Sequence, residues 1–214
     1  MNRPAPILVA AINARHSHAS LGARCLLANL GELRAQANLA EFTSQQSAAE
    51  IADAIAARNP KILGLGVYVW NAARVAELLP LLRRQSPDMK IVLGGPEIAE
   101  TTADADLLLF GEGDLAFAAL CRDLLSSPDP CSSVSIRGCL HPTPPDLASL
   151  QLPYDEYSDN DLAHRLLYVE SSRGCAMRCD YCVSANDEAV RFFPLPVLLA
   201  AFEKLLARGA RPFK

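Results

Sequence analysis

Ile62-Leu-Gly-Leu-Gly-Val-Tyr-Val69, then a helical pattern over Ala72–Gln85, then Met89-Lys-Ile-Val-Leu93: this stretch decides the fold class. The two apolar runs are short and continuous rather than alternating, which is how strands buried on both faces read. Between them Val75, Leu78, Leu79 and Leu82 recur at helical spacing, and Arg74, Glu77, Arg83 and Arg84 take the opposite side. A strand, a crossover helix and a second such strand make a parallel βαβ unit.

The same alternation extends in both directions. Upstream come a strand over Ile7–Ile12, a helix over about Ser20–Ala37 and a weaker strand over Leu39–Thr43. A helix over about Ser47–Arg58 follows, with Ile51 and Ile55 inward. Downstream come a short helix near Glu97–Thr102, a strand over Asp106–Phe110 and a helix over Asp114–Leu125. Five such strands predict an α/β, flavodoxin-like (Rossmann-like) parallel five-stranded sheet in the order 2-1-3-4-5. Ligands of such sheets bind beyond the carboxyl ends of the strands. Glycines gather there: Gly64, Gly66, Gly94, Gly95, Gly111 and Gly113. They read either as tight βα turns or as a platform that lets a ligand approach the backbone. Three consecutive strand ends with glycine favour the platform.

Composition agrees and excludes other classes. Half of the 214 residues are apolar and the net charge is -4, so the chain is neither broadly disordered nor a general nucleic-acid coat. The longest apolar run, Ile62–Trp70, has nine residues, whereas a spanning helix needs about 20. Pro6–Ile12 lacks the cleavage site of a secretory signal. The expected compartment is the cytoplasm, with no membrane partner. Residues 1–127 are expected to form the Rossmann-like domain. Six prolines between Pro128 and Pro153 make 128–164 a linker, with an edge strand over Ser133–Ile136 and a turn at Arg137-Gly138. Its Asp155, Glu156, Asp159 and Asp161 read as a solvated face. From Arg165 a new unit begins: a strand over Arg165–Glu170, a loop, then an amphipathic helix over Leu195–Arg208.

Seven cysteines are an odd number for a disulfide framework. Cys25 and Cys121 read as core, and Cys131 and Cys139 carry little signal. Cys175-Ala-Met-Arg-Cys179-Asp-Tyr-Cys182 is different: three thiols lie on one loop between a strand and a helix. Three thiolates can hold three irons of a four-iron cluster and leave the fourth open to a small molecule. Zinc is the alternative, with His164 as a fourth ligand.

CxxxCxxC, an aromatic residue before the last cysteine, and Arg-Gly before the first resemble the radical S-adenosylmethionine superfamily. The matching residues are Arg173, Gly174, Cys175, Cys179, Tyr181 and Cys182. The resemblance implies a 4Fe-4S cluster on Cys175, Cys179 and Cys182. It also implies S-adenosylmethionine at the open iron, with Tyr181 nearby, and reductive cleavage to a 5′-deoxyadenosyl radical. A flavodoxin- or ferredoxin-type reductant is then expected as partner. Gly94-Gly95-Pro96 and Gly111-Glu112-Gly113-Asp114 resemble the cobalamin-binding domain that precedes many such barrels. Cobalamin is thus the third expected cofactor, with Gly94, Gly95, Gly111, Glu112 and Gly113 at its site. His16 and His18 are candidate contacts, although neither has glycine three positions on, as the cobalt-ligating motif requires. Tyr68 and Trp70 read as corrin-facing residues or as core.

Only about 50 residues follow the linker, while a complete barrel takes about 200 or more. The expected chain is therefore a cobalamin-dependent radical S-adenosylmethionine enzyme, or its N-terminal part, carrying the first βα unit of a truncated barrel. Methylation and rearrangement are both open as its chemistry. A non-catalytic module carrying cobalamin or an iron–sulfur cluster is the alternative.

Overall fold

The computed structural model describes residues 5–98, 104–126, 138–177, 179–180, 182, 189–211 and 213–214. Six parallel strands form one sheet: β1 (Ile7–Asn13), β2 (Ala37–Thr43), β3 (Ile62–Gly66), β4 (Lys90–Gly94), β5 (Leu107–Leu109) and β6 (Gly138–Leu140). Their order is β2-β1-β3-β4-β5-β6. The flavodoxin-like order is therefore as expected, with a sixth strand added at the β5 edge. Gly138, expected in a turn, opens that strand; the edge strand expected over Ser133–Ile136 lies outside the described residues.

Helices α1 (Leu21–Ala28) and α4 (Asp114–Ser126) cover one face; α2 (Ala48–Ala56) and α3 (Ala72–Gln85) cover the other. The pleat of β1 divides the core. Leu8, Ala10 and Ile12 pack with Ile51, Ile55, Leu78 and Leu82, while Ile7, Val9 and Ala11 pack with Leu27, Leu30 and Phe117. Ile7–Ile12 are therefore all apolar, and buried Asn13 at the carboxyl end donates to Glu41 Oε1 at 3.0 Å. The first helix is shorter than its periodicity predicts. Gly31 takes φ +56°, and Gly31–Gln36 tightens into a 3-10 turn that feeds β2.

The proline-rich segment docks rather than hangs free. Pro153–Glu156 forms a 3-10 turn, and α5 (Asp159–His164) follows with Ser158 and Asp161 in a capping box. Tyr154, Tyr157 and Leu162 join Ala19, Leu167, Leu198 and Leu205 in a third core cluster. Over Arg165–Glu170, where a strand is expected, the pairing consists of isolated parallel bridges, His18 to Leu166 and Leu167 to Phe213. A short antiparallel pair follows, β7 (Ser172–Arg173) with β8 (Arg191–Phe192), then α6 (Leu195–Ala207). Leu167, α6 and Phe213 thus outline one parallel β-α-β step. Among the described residues no helix is long and apolar enough to cross a membrane.

Candidate cofactor site

A slot of about 280 Å³ opens between the sheet and helices α1 and α4, toward the carboxyl ends of the strands. Seven glycines line it: Gly22, Gly64, Gly66, Gly94, Gly95, Gly111 and Gly113. Val9, Val92, Leu26 and Leu109 lie between them, with the rings of Tyr68 and Phe117. Gly95 is dictated by conformation and space together. Its φ is +101°, and a Cβ there would stand 2.4 Å from the Val67 carbonyl oxygen. Gly64 and Gly66 instead make room for rings: a Cβ would meet Phe117 at 2.7 Å and Tyr68 at 2.9 Å. Gly95 thus serves a tight turn, and Gly64 and Gly66 make room for the neighbouring rings.

A second hollow of about 430 Å³ lies at the carboxyl edge, lined by Asn13, Ala14, His18, Tyr68, Trp70 and Tyr168 among others. Tyr68, Gly22, Leu21, Ser20 and Ala11 border both spaces, so slot and shelf meet at the Tyr68 ring. Tyr68 and Trp70 stack, 4.6 Å between centroids and 3° from parallel. Buried Asn71 holds that corner. Its Nδ2 donates to the carbonyls of Ile12 at 3.1 Å and Gly66 at 3.0 Å, and its Oδ1 accepts from the Tyr68 N–H at 2.8 Å. Trp70 Nε1 donates to the same Ile12 carbonyl at 3.1 Å, which leaves its ring half exposed over the shelf.

The structure brings Gly94, Gly95, Gly111, Glu112 and Gly113 together on the slot. His18 lies on the shelf, its Nδ1 3.1 Å from the Tyr168 hydroxyl. His16 is exposed, and its carbonyl accepts from Arg165 Nε at 2.9 Å. Tyr181 and Cys131 fall outside the described residues. Cys175 and Cys179 are half-buried and Cys182 is exposed. Cys175 Sγ accepts from the Met177 N–H at 3.4 Å, and the Cys182 N–H donates to the Cys179 carbonyl at 3.0 Å. Among the described residues no three His, Cys, Asp or Glu side chains gather closely enough to hold a metal, these cysteines included. His164 is exposed at the end of α5 and bonds the Asn160 carbonyl.

Charged residues also line the slot, and of them only Glu170 lies outside the motifs read from the sequence. Glu170, Arg173, Glu112 and Asp114 all line it. Burial alone would lower the Arg173 pKa, but Asp114 and Glu170 raise it well above the ordinary value. Cys25 Sγ lies 3.7 Å from Glu170 Oε1; burial first, then that carboxylate, pushes its thiol well up, so it stays protonated and inert. A second cluster sits behind the shelf. Arg24 and Arg165 share the carboxylates of Glu41 and Asp161, at 2.5 to 2.9 Å. Asp161 is buried in this cluster rather than part of a solvated face. Its capping bond to Ser158 and two guanidinium groups compensate its charge. Glu156 pairs with Arg34 at 2.5 Å, whereas Asp155 and Asp159 are exposed.

A protein-family model, the B12 binding domain, matches residues 7–121, more than half of the chain. The chain belongs to the B12-binding domain family. Two curated relatives extend the likeness. One is a 2-(S-pantetheinyl)-carbapenam-3-carboxylate methyltransferase of Streptantibioticus cattleyicolor, 30% identical over 65% of this chain and 24% of that protein. The other is the cobalamin-dependent radical SAM methyltransferase TokK of Streptomyces tokunonensis, 29% identical over 62% of this chain and 23% of that protein. The chain spans about a quarter of the length of these relatives. Among solved structures, the cobalamin-dependent S-adenosylmethionine radical enzyme OxsB shares the fold. Its TM-score is 0.63 at 16% identity, over 96% of this chain and 32% of that one.

Proposed function

We propose that slot and shelf together hold cobalamin, and that this B12-binding domain serves a radical S-adenosylmethionine enzyme that methylates a carbon of its substrate. One observation carries the reading. A glycine-lined slot at the carboxyl ends of β1, β3 and β4 opens at Tyr68 into a flat aromatic shelf. A ligand with a pendant nucleotide and a broad ring needs a space of these two parts. The methyltransferase relatives favour methylation over rearrangement.

Bound there, cobalamin supplies a transferable methyl group. Peptide groups around Gly94, Gly95 and Gly111 line the tail side and admit close approach. Trp70 and Tyr68 offer an apolar surface that keeps water from one face of the ring. The Tyr168 hydroxyl fixes the orientation of the His18 ring at the shelf. The cluster reading of Cys175, Cys179 and Cys182 rests on their spacing, since the three thiols stand apart here.

The test is retention of cobalamin by the full chain through gel filtration, followed by its visible spectrum. One equivalent retained is the expected result, and none retained overturns the reading. Gly94→Val fills the slot from a position where a Cβ meets its nearest neighbour, the Leu109 carbonyl oxygen, at an ordinary 3.5 Å. The variant should fold as the wild type does and bind at least ~10-fold more weakly, a loss of about 1.4 kcal/mol or more. After iron and sulfide reconstitution, 5′-deoxyadenosine formed from S-adenosylmethionine separates an enzyme from a carrier module.

A further inference from the structure

Glu112 stands in the loop after β5, on the wall of the slot. Two arginines from the C-terminal part of the chain grip it. Arg173 Nη1 donates to its Oε2 at 3.0 Å, and Arg191 Nη2 donates to its Oε1. Arg173 and Arg191 are register partners in the β7–β8 pair. These two strands are the ends of the segment that carries Cys175, Cys179 and Cys182. One carboxylate on the slot therefore ties down both ends of the cysteine segment.

The guanidinium of Arg173 is saturated. Nη1 and Nη2 fork onto Asp114 at 2.7 and 3.0 Å, and Nε and Nη2 fork onto Glu170 at 3.2 and 2.8 Å. With Glu112, all five of its N–H donors are used. Lysine presents three donors on one atom and reproduces neither fork. Asp114 is buried at the start of α4, and Phe117 of the same helix lies over Gly64 inside the slot. The wall of the slot and the base of the cysteine segment thus share one ion network. A ligand that fixes Glu112 and Asp114 favours the state in which the network is closed, and that preference is felt at both sites.

We propose that Arg173, with Glu112 and Arg191, is a positioning joint through which occupation of the slot sets the accessibility of Cys175, Cys179 and Cys182. The inference rests on the reading of the slot as a cobalamin site. Its test uses the full chain and cyanocobalamin, whose cobalt does not capture thiols readily. Iodoacetamide alkylation of each cysteine is timed by peptide mass spectrometry, with and without the ligand. Cys121, buried in α4, reports global unfolding. In the wild type, ligand should slow alkylation of Cys175, Cys179 and Cys182 at least about five-fold and leave Cys121 unchanged. Arg191→Gln, which breaks the joint at a residue that does not line the slot, should still bind the ligand but lose most of that protection. If Arg191→Gln exposes Cys121, it has unfolded, and Arg191→Lys, which keeps the charge but not the planar fork, carries the decision. Direct cover of the thiols by the ligand would persist in the variants, so persistent protection overturns the joint. Binding without protection in the wild type overturns it as well, and leaves the cobalamin reading standing. Absence of binding overturns both.

Discussion

Glu41 shows how much one side chain holds together. It reaches from β2 to Arg24 of α1, to Arg165 beyond α5, to the Asn13 amide and to the Ser20 N–H. Burial alone would raise its pKa, but Arg24, Arg165 and the Ser20 N–H outweigh burial and hold the carboxyl down to about 2. Asp161 is likewise held to about 2: burial opposes, and Ser158, Arg165 and Arg24 prevail. A depressed folded pKa means stabilisation that is complete above the ordinary carboxylate value and lost as pH falls toward 2. The urea midpoint of the chain should therefore fall steeply between pH 5 and pH 2. Glu41→Gln should flatten that slope, and an unchanged slope would remove Glu41 from the account. Glu41→Ala should cost about 3 kcal/mol at pH 7, because it leaves two buried guanidinium groups to share Asp161, one of them Arg24 with an Nε that already lacks a partner. Denaturant unfolding followed by circular dichroism measures it.

At the scale of elements, what was legible follows from what is local. Helix α3 spans Ala72–Gln85 as its periodicity predicts, because Val75, Leu78, Leu79 and Leu82 are its buried stripe. Helix α2 starts where Ser47-Ala-Ala-Glu50 places it, since both bonds of a capping box are formed. Ser47→Ala should lower stability by about 1 kcal/mol through the loss of that cap, read as a shift in the denaturant midpoint at constant m-value. The glycines at the strand ends were legible for the same reason: strand ends and glycines are both readable in short windows. The shortened α1 was not, because a heptad-like run of leucines outweighs one Gly31 until β2 is seen to need its residues from Ala37. The docking of 138–164 was also hidden. That segment carries β6, two 3-10 turns and α5 where a linker was expected, and Tyr154 and Tyr157 find their partners only in the folded chain, as their hydroxyls donate to the carbonyls of Glu170 and Tyr168.

For the whole molecule, the ion networks lie beyond any pattern argument. Arg24 and Asp161 are 137 positions apart, and Arg191 and Glu112 are 79 apart. Sequence motifs found the cysteines, the glycines, Arg173 and Glu112, but not the ion pairs that join them. The same long reach distributes the apolar surface unevenly. The sheet buries both faces, yet α6 buries chiefly Leu198 and Leu205. Leu195, Val197, Leu199 and Leu206 remain at 62%, 53%, 51% and 56% exposure, beside Phe192 at 72%. Leu195, Leu199 and Leu206 recur on one side of α6, and an exposed apolar stripe of this kind marks a face that takes a partner. At about 25 cal/mol per Å², covering even part of it gives several kcal/mol, enough to offset much of the cost of bringing two chains together. The 214-residue chain on its own should therefore self-associate at micromolar concentration through α6. Sedimentation velocity over a concentration series measures this. Leu195→Glu with Leu199→Glu should return it to monomer with its melting temperature unchanged, because neither side chain enters the core. A wild-type chain that sediments as a monomer at every concentration would show that its exposed leucines, spaced along one short helix, are too scattered to make an interface.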